Sequence, residues 1–430
     1  MTSRRPILLL VAVAPALAAV DASGALSLGS GVRASGLGAF AAIDDDVTAL
    51  SWNPAGAIQL ETPEAAVALG AYDRRSSIAG GEDQHVRGLR VDHAALAVPF
   101  HAFGCQQTVG VIWQRQLDFM RAIDYRYAAA DSEFDIEVDQ DGSYASLGLG
   151  YGIEVVPGLG LGITANLWSD DWTGDSRYEQ RIAEDELNTL FAARVVTTRT
   201  REVRVEHGAN AVIGSWWRAT TSLAFAGVFR PGFTLDQEID DHLRQSDDFG
   251  PTPDDGTRSS SSVETRYPGS GTLGVAWIID DHDTIAADAT LTRWSQYRTV
   301  AGGATRSAVN TNIDPSEFDA GWDIRLGYER VLIFERAVLV ARIGALYQEL
   351  PAAEPVPLDT VDPAAFSATH DRFWGGSLGL SWVTRRMTWD LAAQARHGDD
   401  VGAGQDAPAD RQADVLLITA QAGVTVFLGE

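Results

Sequence analysis

The feature that most constrains the fold is a two-residue alternation of apolar and polar side chains that recurs along the chain. In the segment WDIRLGYE, at 322–329, one side carries Trp322, Ile324, Leu326 and Tyr328, and the other carries Asp323, Arg325 and Glu329. Successive side chains of a β-strand point to opposite faces, so each such segment predicts a strand with one apolar face. Three charged groups would be costly in a sandwich core, so the second face is expected to be wet.

Aromatic side chains lie at the ends of several apolar stripes. The segment at 371–382 has the outward set Trp374, Leu378, Leu380 and Trp382, and the segment at 387–396 has Met387, Trp389, Leu391, Ala393 and Ala395. A lipid-facing strand with an aromatic girdle at each membrane interface has this pattern. After the first 25 residues there is no apolar run of about 18 residues, so a helical membrane protein is not predicted.

Strand count and link length together indicate the topology. Strands of about ten residues are predicted near 64–72, 91–100, 108–119, 143–156, 159–169, 204–218, 221–230, 270–280, 284–294, 322–331, 337–348, 371–383, 387–396 and 414–428. Short links follow the even-numbered strands, and most links after odd-numbered strands are long, notably 170–203, 231–269, 295–321, 349–370 and 397–413. This alternation predicts an all-β fold, a transmembrane antiparallel β-barrel of about 14 strands with short periplasmic turns and long extracellular loops.

The first 25 residues have the features of a signal peptide. Arg4 and Arg5 precede an apolar stretch from Ile7 to about Val20, and small residues allow cleavage between 18 and 25. An exported barrel of this kind is expected in the outer membrane of a Gram-negative type cell.

Residues 26–62, called here the N-terminal segment, are the candidate for a hatch that plugs the lumen. A barrel of about 14 strands is too wide for its own side chains to fill. Tight turns are expected at Gly36 and Gly38. A further turn, already restricted in shape, is expected at 53–56, because Pro54 biases Asn53 away from the helical region and Gly56 can take a positive φ. The residues predicted to gate passage are Gly36, Gly38, Trp52, Asn53, Pro54, Ala55 and Gly56. The alternative is a disordered periplasmic tail before a barrel at 63–430.

Composition excludes several other functions. The formal net charge of −26 argues against nucleic acid as a partner, and Cys105 is the only cysteine. The eight His are scattered, so neither a metal nor a cofactor is expected.

The GGSLG segment has the spacing of a hydrolase nucleophile elbow. It places Ser377 in mid-strand, however, and a nucleophile elbow needs a strand-to-helix turn. The chain is therefore not predicted to be an enzyme, and an outer-membrane esterase is the alternative.

Several segments resemble one family. SGLGAFAAIDDDVTALSWNPAG, at 35–56, looks like the hatch of the FadL-type long-chain fatty acid transporters of bacterial outer membranes, which include hydrocarbon-uptake channels. GTLGVAWIIDDHDTIAADATLTRWSQY resembles the family's strand pair that ends in Trp-Ser-x-aromatic, here Trp294 and Ser295. HDRFWGGSLGLSW is similar to its Asp-Arg-x-Trp strand, here Asp371, Arg372 and Trp374.

The resemblance implies passive uptake of a hydrophobic molecule, most of all a long-chain fatty acid. Such a solute would be captured at the extracellular loops and released sideways through the barrel wall. The protein is expected to be a monomer surrounded by outer-membrane lipid and lipopolysaccharide. Inward arginines could hold a carboxylate head, and the candidates are Arg325, Arg342 and Arg396. The alternative is that they pair in the lumen with Asp288, Asp323, Glu329 and Asp390. A second functional hypothesis is a non-transporting barrel that is a partner in protein secretion.

Overall fold

The computed structural model describes residues 29–43, 45–78, 81, 83–129, 131–190, 192–247, 256–355, 366–402 and 412–429. The predicted signal peptide, with its cleavage site, lies outside the described residues. No helix among the described residues is long and apolar enough to cross a bilayer.

The described residues form one sheet of twenty strands. In chain order these are β1 (Glu64–Ile78), β2 (Gln84–Ala102), β3 (Cys105–Asp118), β4 (Arg121–Ala129), β5 (Ser132–Val156), β6 (Leu159–Trp168), β7 (Ser176–Asn188), β8 (Ala193–Arg218), β9 (Leu223–Arg230), β10 (Phe233–Asp247), β11 (Thr257–Tyr267), β12 (Ser270–Ile278), β13 (Asp283–Arg293), β14 (Arg298–Ala301), β15 (Ala304–Ser307), β16 (Ala320–Ile333), β17 (Val338–Pro355), β18 (Phe366–Val383), β19 (Met387–Gly402) and β20 (Gln412–Phe427). The α-helices are α1 (Val32–Leu37), α2 (Ala49–Trp52) and α3 (Asp170–Thr173).

Fourteen of these strands close into an antiparallel barrel. The wall runs β1, β2, β3, β5, β6, β8, β9, β12, β13, β16, β17, β18, β19 and β20, and β20 pairs with β1 from Glu64↔Phe427 to Ile78↔Ala413. Closure gives every strand of the wall a paired neighbour on both sides, as a sheet in lipid requires. All fourteen predicted strands are present, so the predicted fold class is confirmed.

The long links on one side of the barrel are not simple loops. The predicted loops at 170–203, 231–269 and 295–321 contain β7, β10, β11, β14 and β15, and β5 and β8 extend to 25 and 26 residues. The prediction missed these strands because their solvent-facing sides are charged and their apolar positions are few. They pair above the membrane, where water solvates the outer face.

The outer face of the wall is apolar and the inner face is polar, as predicted. Leu378 and Leu380 on β18 are 61% and 49% exposed on the outer surface, with Trp374 and Trp382 at the two ends of the stripe. The inward side chains of β16, among them Asp323 and Arg325, are buried. The apolar side chains therefore face lipid, and the charged ones face the lumen.

The end of the barrel with the long links encloses a hydrophobic core. Its aromatic members include Tyr144, Tyr178, Tyr267 and Tyr297, which are buried together with Phe119. We call this region the cap.

Candidate functional site

The described part of the N-terminal segment, at 29–43 and 45–62, lies inside the barrel wall. Its side chains Leu37, Phe40 and Leu50 are 1%, 0% and 0% exposed. Small inward residues make room for it, because an added Cβ would contact the segment at Gly110, Gly150, Gly152, Gly160, Gly162, Gly214, Gly274, Gly327, Gly344, Gly379 and Gly423. An unpacked tail would not need this complementarity.

Two of the predicted gating glycines have different roles. Gly38 has φ 86 and ends α1, so it does provide the expected turn. Gly36 lies within α1, and a Cβ there would come 2.8 Å from the Cα of Gly379. The expectation of a turn at Gly36 is therefore wrong, since its missing side chain instead allows α1 to contact β18.

The turn from Asn53 to Gly56 closes with a hydrogen bond from the Gly56 amide to the Asn53 carbonyl, at 2.8 Å. The Asn53 Nδ2 atom donates to the carbonyls of Ala41 at 2.7 Å and Ser215 at 3.1 Å. Asn53 is extended at φ −146, as expected before Pro54. The expected positive φ at Gly56 is wrong, because Gly56 begins a 3₁₀ turn and is not among the described positive-φ residues.

The segment is also linked to the wall by an ion pair between Arg33 and Glu329, at 3.4 Å, and by further hydrogen bonds. The Asp288 carboxylate accepts from the amides of Phe40 at 2.5 Å and Ala41 at 3.1 Å. The Arg230 guanidinium donates to the Trp52 carbonyl at 2.8 Å. Since α1 and α2 do not pair with the strand ladder, the closure of the barrel does not involve the segment.

The structure separates the three predicted arginines. Arg325 pairs with Asp323 at 2.7 Å, and Arg342 pairs with Glu329 at 2.6 Å. Arg396 donates to the Gln348 side chain at 2.9 Å and has no ion pair with a carboxylate in the part of the chain that the structure describes. Two of the three therefore show the ion pairing that the ladder alternative predicted.

The other predicted acidic partners bind differently. Asp288 binds the backbone of the N-terminal segment, and Asp390 accepts from the Ser381 hydroxyl with Arg342 4.0 Å away. The lumen therefore uses carboxylates both to pair arginines and to hold the segment.

Above the N-terminal segment lies a cavity of about 150 Å³, called here the upper cavity. Arg325 and Arg396 line it together with apolar atoms of Trp52, Leu117 and Leu350. Arg342 instead lines a wider cavity of about 980 Å³ near the short turn at 384–386. The segment lies between the two cavities, so the three arginines do not form one site.

The wall beside the upper cavity contains a seam that the sequence did not predict. Pairing between β2 and β3 runs from the short turn only as far as His93↔Gln114, although both strands continue. Each strand has a bulge at this level, at Asp92 in β2 and at Gln116 in β3. Above His93 the two strands are joined by side chains. No alternation of residue types signals such a break.

The residues of the two strand motifs that resembled the family do not line the upper cavity. Trp294 begins a 3₁₀ turn just after β13 and is buried, whereas Ser295 is exposed. Asp371 accepts from the Gly402 amide at 3.1 Å. Arg372 and Trp374 are exposed, and the Trp374 ring lies 4.5 Å from that of Tyr347.

The enzyme-like motif is also part of the wall. Ser377 lies in the middle of β18 and is buried next to the N-terminal segment. Among the described residues no group of three or more His, Cys, Asp or Glu side chains is placed to hold a metal ion.

The geometry defines a barrel of the outer-membrane type whose lumen holds an N-terminal segment. A FadL homologue from Pseudomonas aeruginosa has a similar fold, with a TM-score of 0.65, 13% identity, and coverage of 94% of this chain and 100% of that chain. The toluene transporter TodX of Pseudomonas putida has a TM-score of 0.58 at 11% identity, covering 94% and 99%. The toluene transporter TbuX of Ralstonia pickettii has a TM-score of 0.55 at 12% identity, covering 94% and 99%.

No family model and no curated protein matches the sequence. The likeness is one of fold, and it extends over almost the whole chain. The fold that the sequence resemblance implied, that of the FadL-type outer-membrane channels, is confirmed.

Proposed function

We propose that this protein is an outer-membrane channel for the passive uptake of hydrophobic molecules, long-chain fatty acids above all. The N-terminal segment at 26–62 is its hatch, and 63–430 is its barrel. The observation that carries the proposal is the upper cavity, which lies between the hatch and the cap and beside a seam in the wall. We expect a monomer surrounded by outer-membrane lipid and lipopolysaccharide, with no catalytic role.

Arg396 is the residue in the cavity best suited to hold an anionic head. Its described hydrogen bond is to a neutral amide, so a solute carboxylate would provide the charge partner that Asp323 already provides to Arg325. Charge-assisted pairs of this kind are roughly twice as strong as neutral hydrogen bonds. Apolar atoms of Leu117 and Leu350 would contact the alkyl chain.

Release into lipid is the favourable exit for such a solute. Each methylene group gains about 0.8 kcal/mol on leaving water, so a chain of some 15 methylenes favours the bilayer by roughly 12 kcal/mol. A passage that opened only to the periplasm would have to overcome this difference. The seam between β2 and β3 supports a sideways route, because its outer side carries the apolar Leu89 and Val91.

The size of the cavity makes the choice of substrate testable. A volume near 150 Å³ is enough for one benzene-sized ring. A long acyl chain would need the hatch or the seam to move, whereas a monoaromatic hydrocarbon would fit without movement. TodX, which shares this fold, is a toluene transporter, and this favours a monoaromatic as the second candidate substrate.

Binding of labelled palmitate to the detergent-purified protein tests the proposal, with toluene as competitor. We expect saturable binding that the Arg396→Gln variant weakens about tenfold, because one charge-assisted contact is lost. The matched control Arg372→Gln changes an exposed guanidinium and should bind as the wild type does. Binding of toluene alone would refute the fatty acid assignment, and binding of neither solute would refute the proposed function.

A further inference from the structure

A small cavity of about 50 Å³ lies beside α2 of the hatch, and we call it the Arg230 chamber. Ser51 of α2 and Arg230 at the end of β9 line this chamber. Gln116 and Leu117 line both the chamber and the upper cavity, so the two cavities are neighbours. The remaining lining is largely apolar and comes from Trp168, Val212, Pro231, Phe233 and Pro268. A charge in the chamber is therefore poorly solvated.

The Arg230 guanidinium is only half satisfied. Among the described residues that line the chamber, Arg230 alone carries a charge. Its Nη2 atom donates to the Trp52 carbonyl of the hatch at 2.8 Å. Its Nη1 atom is buried and has no hydrogen-bond acceptor among the described residues. A buried cation without an anionic partner is costly, so the Nη1 side of this guanidinium favours an anion.

The charged groups that act most strongly on Arg230 are Arg325 and Asp288, and neither forms an ion pair with it. Arg230 and Arg325 lie over the same Phe40 ring, at 5.9 and 5.7 Å from its centroid, so a second positive charge is close. Arg325 has its own carboxylate partner in Asp323. The Asp288 carboxylate accepts from amides of the hatch. The partner of the Nη1 atom is therefore not supplied by these side chains.

The strand register places two hydroxyl groups next to Arg230. Arg230 pairs with Ser270 of β12, and Ser270 pairs with Thr292 of β13, so the three residues form one row across the wall. All three line the chamber, so their side chains point to the same side of the sheet. A guanidinium with hydroxyl donors beside it is a suitable set of groups for binding an anion.

The volume of the chamber restricts the anion to a small one. One water-sized particle needs roughly 10 to 15 Å³ of a cavity measured in this way, so about 50 Å³ admits a halide ion or a carboxylate group. An aromatic ring needs a cavity of roughly 150 Å³ and does not fit. The chamber therefore selects a compact anionic group.

The hatch completes this site. Ser51 forms part of the lining, and the Trp52 carbonyl occupies the other half of the guanidinium. When α2 leaves the wall, the chamber loses both contacts. An anion at the Nη1 atom therefore binds the docked hatch more tightly than the undocked hatch, and by linkage it stabilises docking.

We propose that the Arg230 chamber binds one small monovalent anion, and that the bound anion stabilises the docked hatch. A halide ion from the medium and the carboxylate of a solute share the chemistry that the site recognises. The inference goes beyond the proposed function, because a halide can bind whether or not the protein takes up a hydrophobic molecule.

Protease protection of the hatch in the detergent-purified protein measures this effect. The rate of cleavage within 29–62 is compared in sodium chloride and in sodium morpholinoethanesulfonate at equal ionic strength, because the bulky sulfonate does not fit the chamber. Where reclosing is faster than cleavage, chloride should lower the rate by the factor 1 + [Cl⁻]/Kd, which is about elevenfold at a chloride concentration of ten times Kd.

Two variants test the residues of the site. Arg230→Gln should abolish the dependence on chloride, because glutamine can donate to the Trp52 carbonyl but has no charge. Thr292→Val leaves the contact with the hatch in place and should raise the Kd of chloride about fivefold, the loss of one hydrogen bond. The matched control, Arg293→Gln, removes an exposed arginine next to Thr292 and should respond to chloride as the wild type does.

Anomalous diffraction from crystals grown in sodium bromide locates the anion and its source. A bromide peak beside the Arg230 Nη1 atom that remains after palmitate is added identifies a free halide as the occupant. A peak that is replaced by density for the palmitate head identifies the carboxylate of the solute.

The remaining outcomes decide against the site. Equal cleavage rates in the two salts, or the same response to chloride in Arg230→Gln as in the wild type, refute the anion site. If Arg230→Gln fails to fold, an unchanged Kd in Thr292→Val without a bromide peak at Arg230 refutes it. If chloride protects the hatch but neither palmitate nor toluene binds, the anion site stands and the proposed function fails.

Discussion

Replacing Asn53 by Ala should undock the hatch while leaving the barrel folded. Asn53 is fully buried, and its side chain makes hydrogen bonds to Ala41, Ser215 and Ala55 that alanine cannot make. Each lost hydrogen bond is worth about 1 kcal/mol, and a buried carbonyl left without a donor costs about 1 to 3 kcal/mol. We therefore expect docking to weaken by roughly 2 to 4 kcal/mol.

That loss should be visible in protease protection. A change of about 1.4 kcal/mol is tenfold in an equilibrium, so the undocked fraction should rise roughly 30- to 700-fold. Where reclosing is faster than cleavage, the rate of proteolysis within 29–62 follows this fraction. The matched control is Asn312→Ala, which changes an exposed amide in a long link.

The stability of the barrel should not change in Asn53→Ala, because the closed strand ladder of the barrel does not include the hatch. Heat-modifiable migration on gels should therefore be the same for the wild type, Asn53→Ala and Asn312→Ala, while uptake of a hydrophobic probe by cells changes only in Asn53→Ala. Equal protease protection in the two variants would refute the docking argument. A barrel that fails to assemble in Asn53→Ala would show that the turn is structural.

Three further results are expected. Gly344→Val should expose the hatch to protease without loss of barrel assembly, because a side chain there would collide with the Leu37 carbonyl; unchanged protection would contradict the packing described. Deletion of 29–62 should give a steady ionic conductance in planar bilayers, since inward side chains alone cannot fill a fourteen-stranded lumen, and a silent barrel would contradict this. Arg342→Gln should bind labelled palmitate as the wild type does, because Arg342 lines the cavity near the turns; a loss equal to that of Arg396→Gln would place the head group elsewhere.

The sequence by itself determined the barrel. Alternation along segments such as 322–329 and 371–382 assigns every second side chain to lipid, because the pleat of a strand allows no other arrangement. Link lengths then gave the strand order, since short turns can join only neighbouring antiparallel strands. The strands above the membrane were missed, because a sheet with a solvated charged face, such as β7, has too few apolar positions to show the period.

Only the tertiary structure decided the site. Whether Arg325, Arg342 or Arg396 is paired depends on side chains from neighbouring strands, and strand phase shows only that all three point inward. The seam depends on two single-residue bulges, at Asp92 and Gln116, that shift register between strands. Register is a relation between two chain segments, so a pattern along one segment cannot specify where pairing between the two stops.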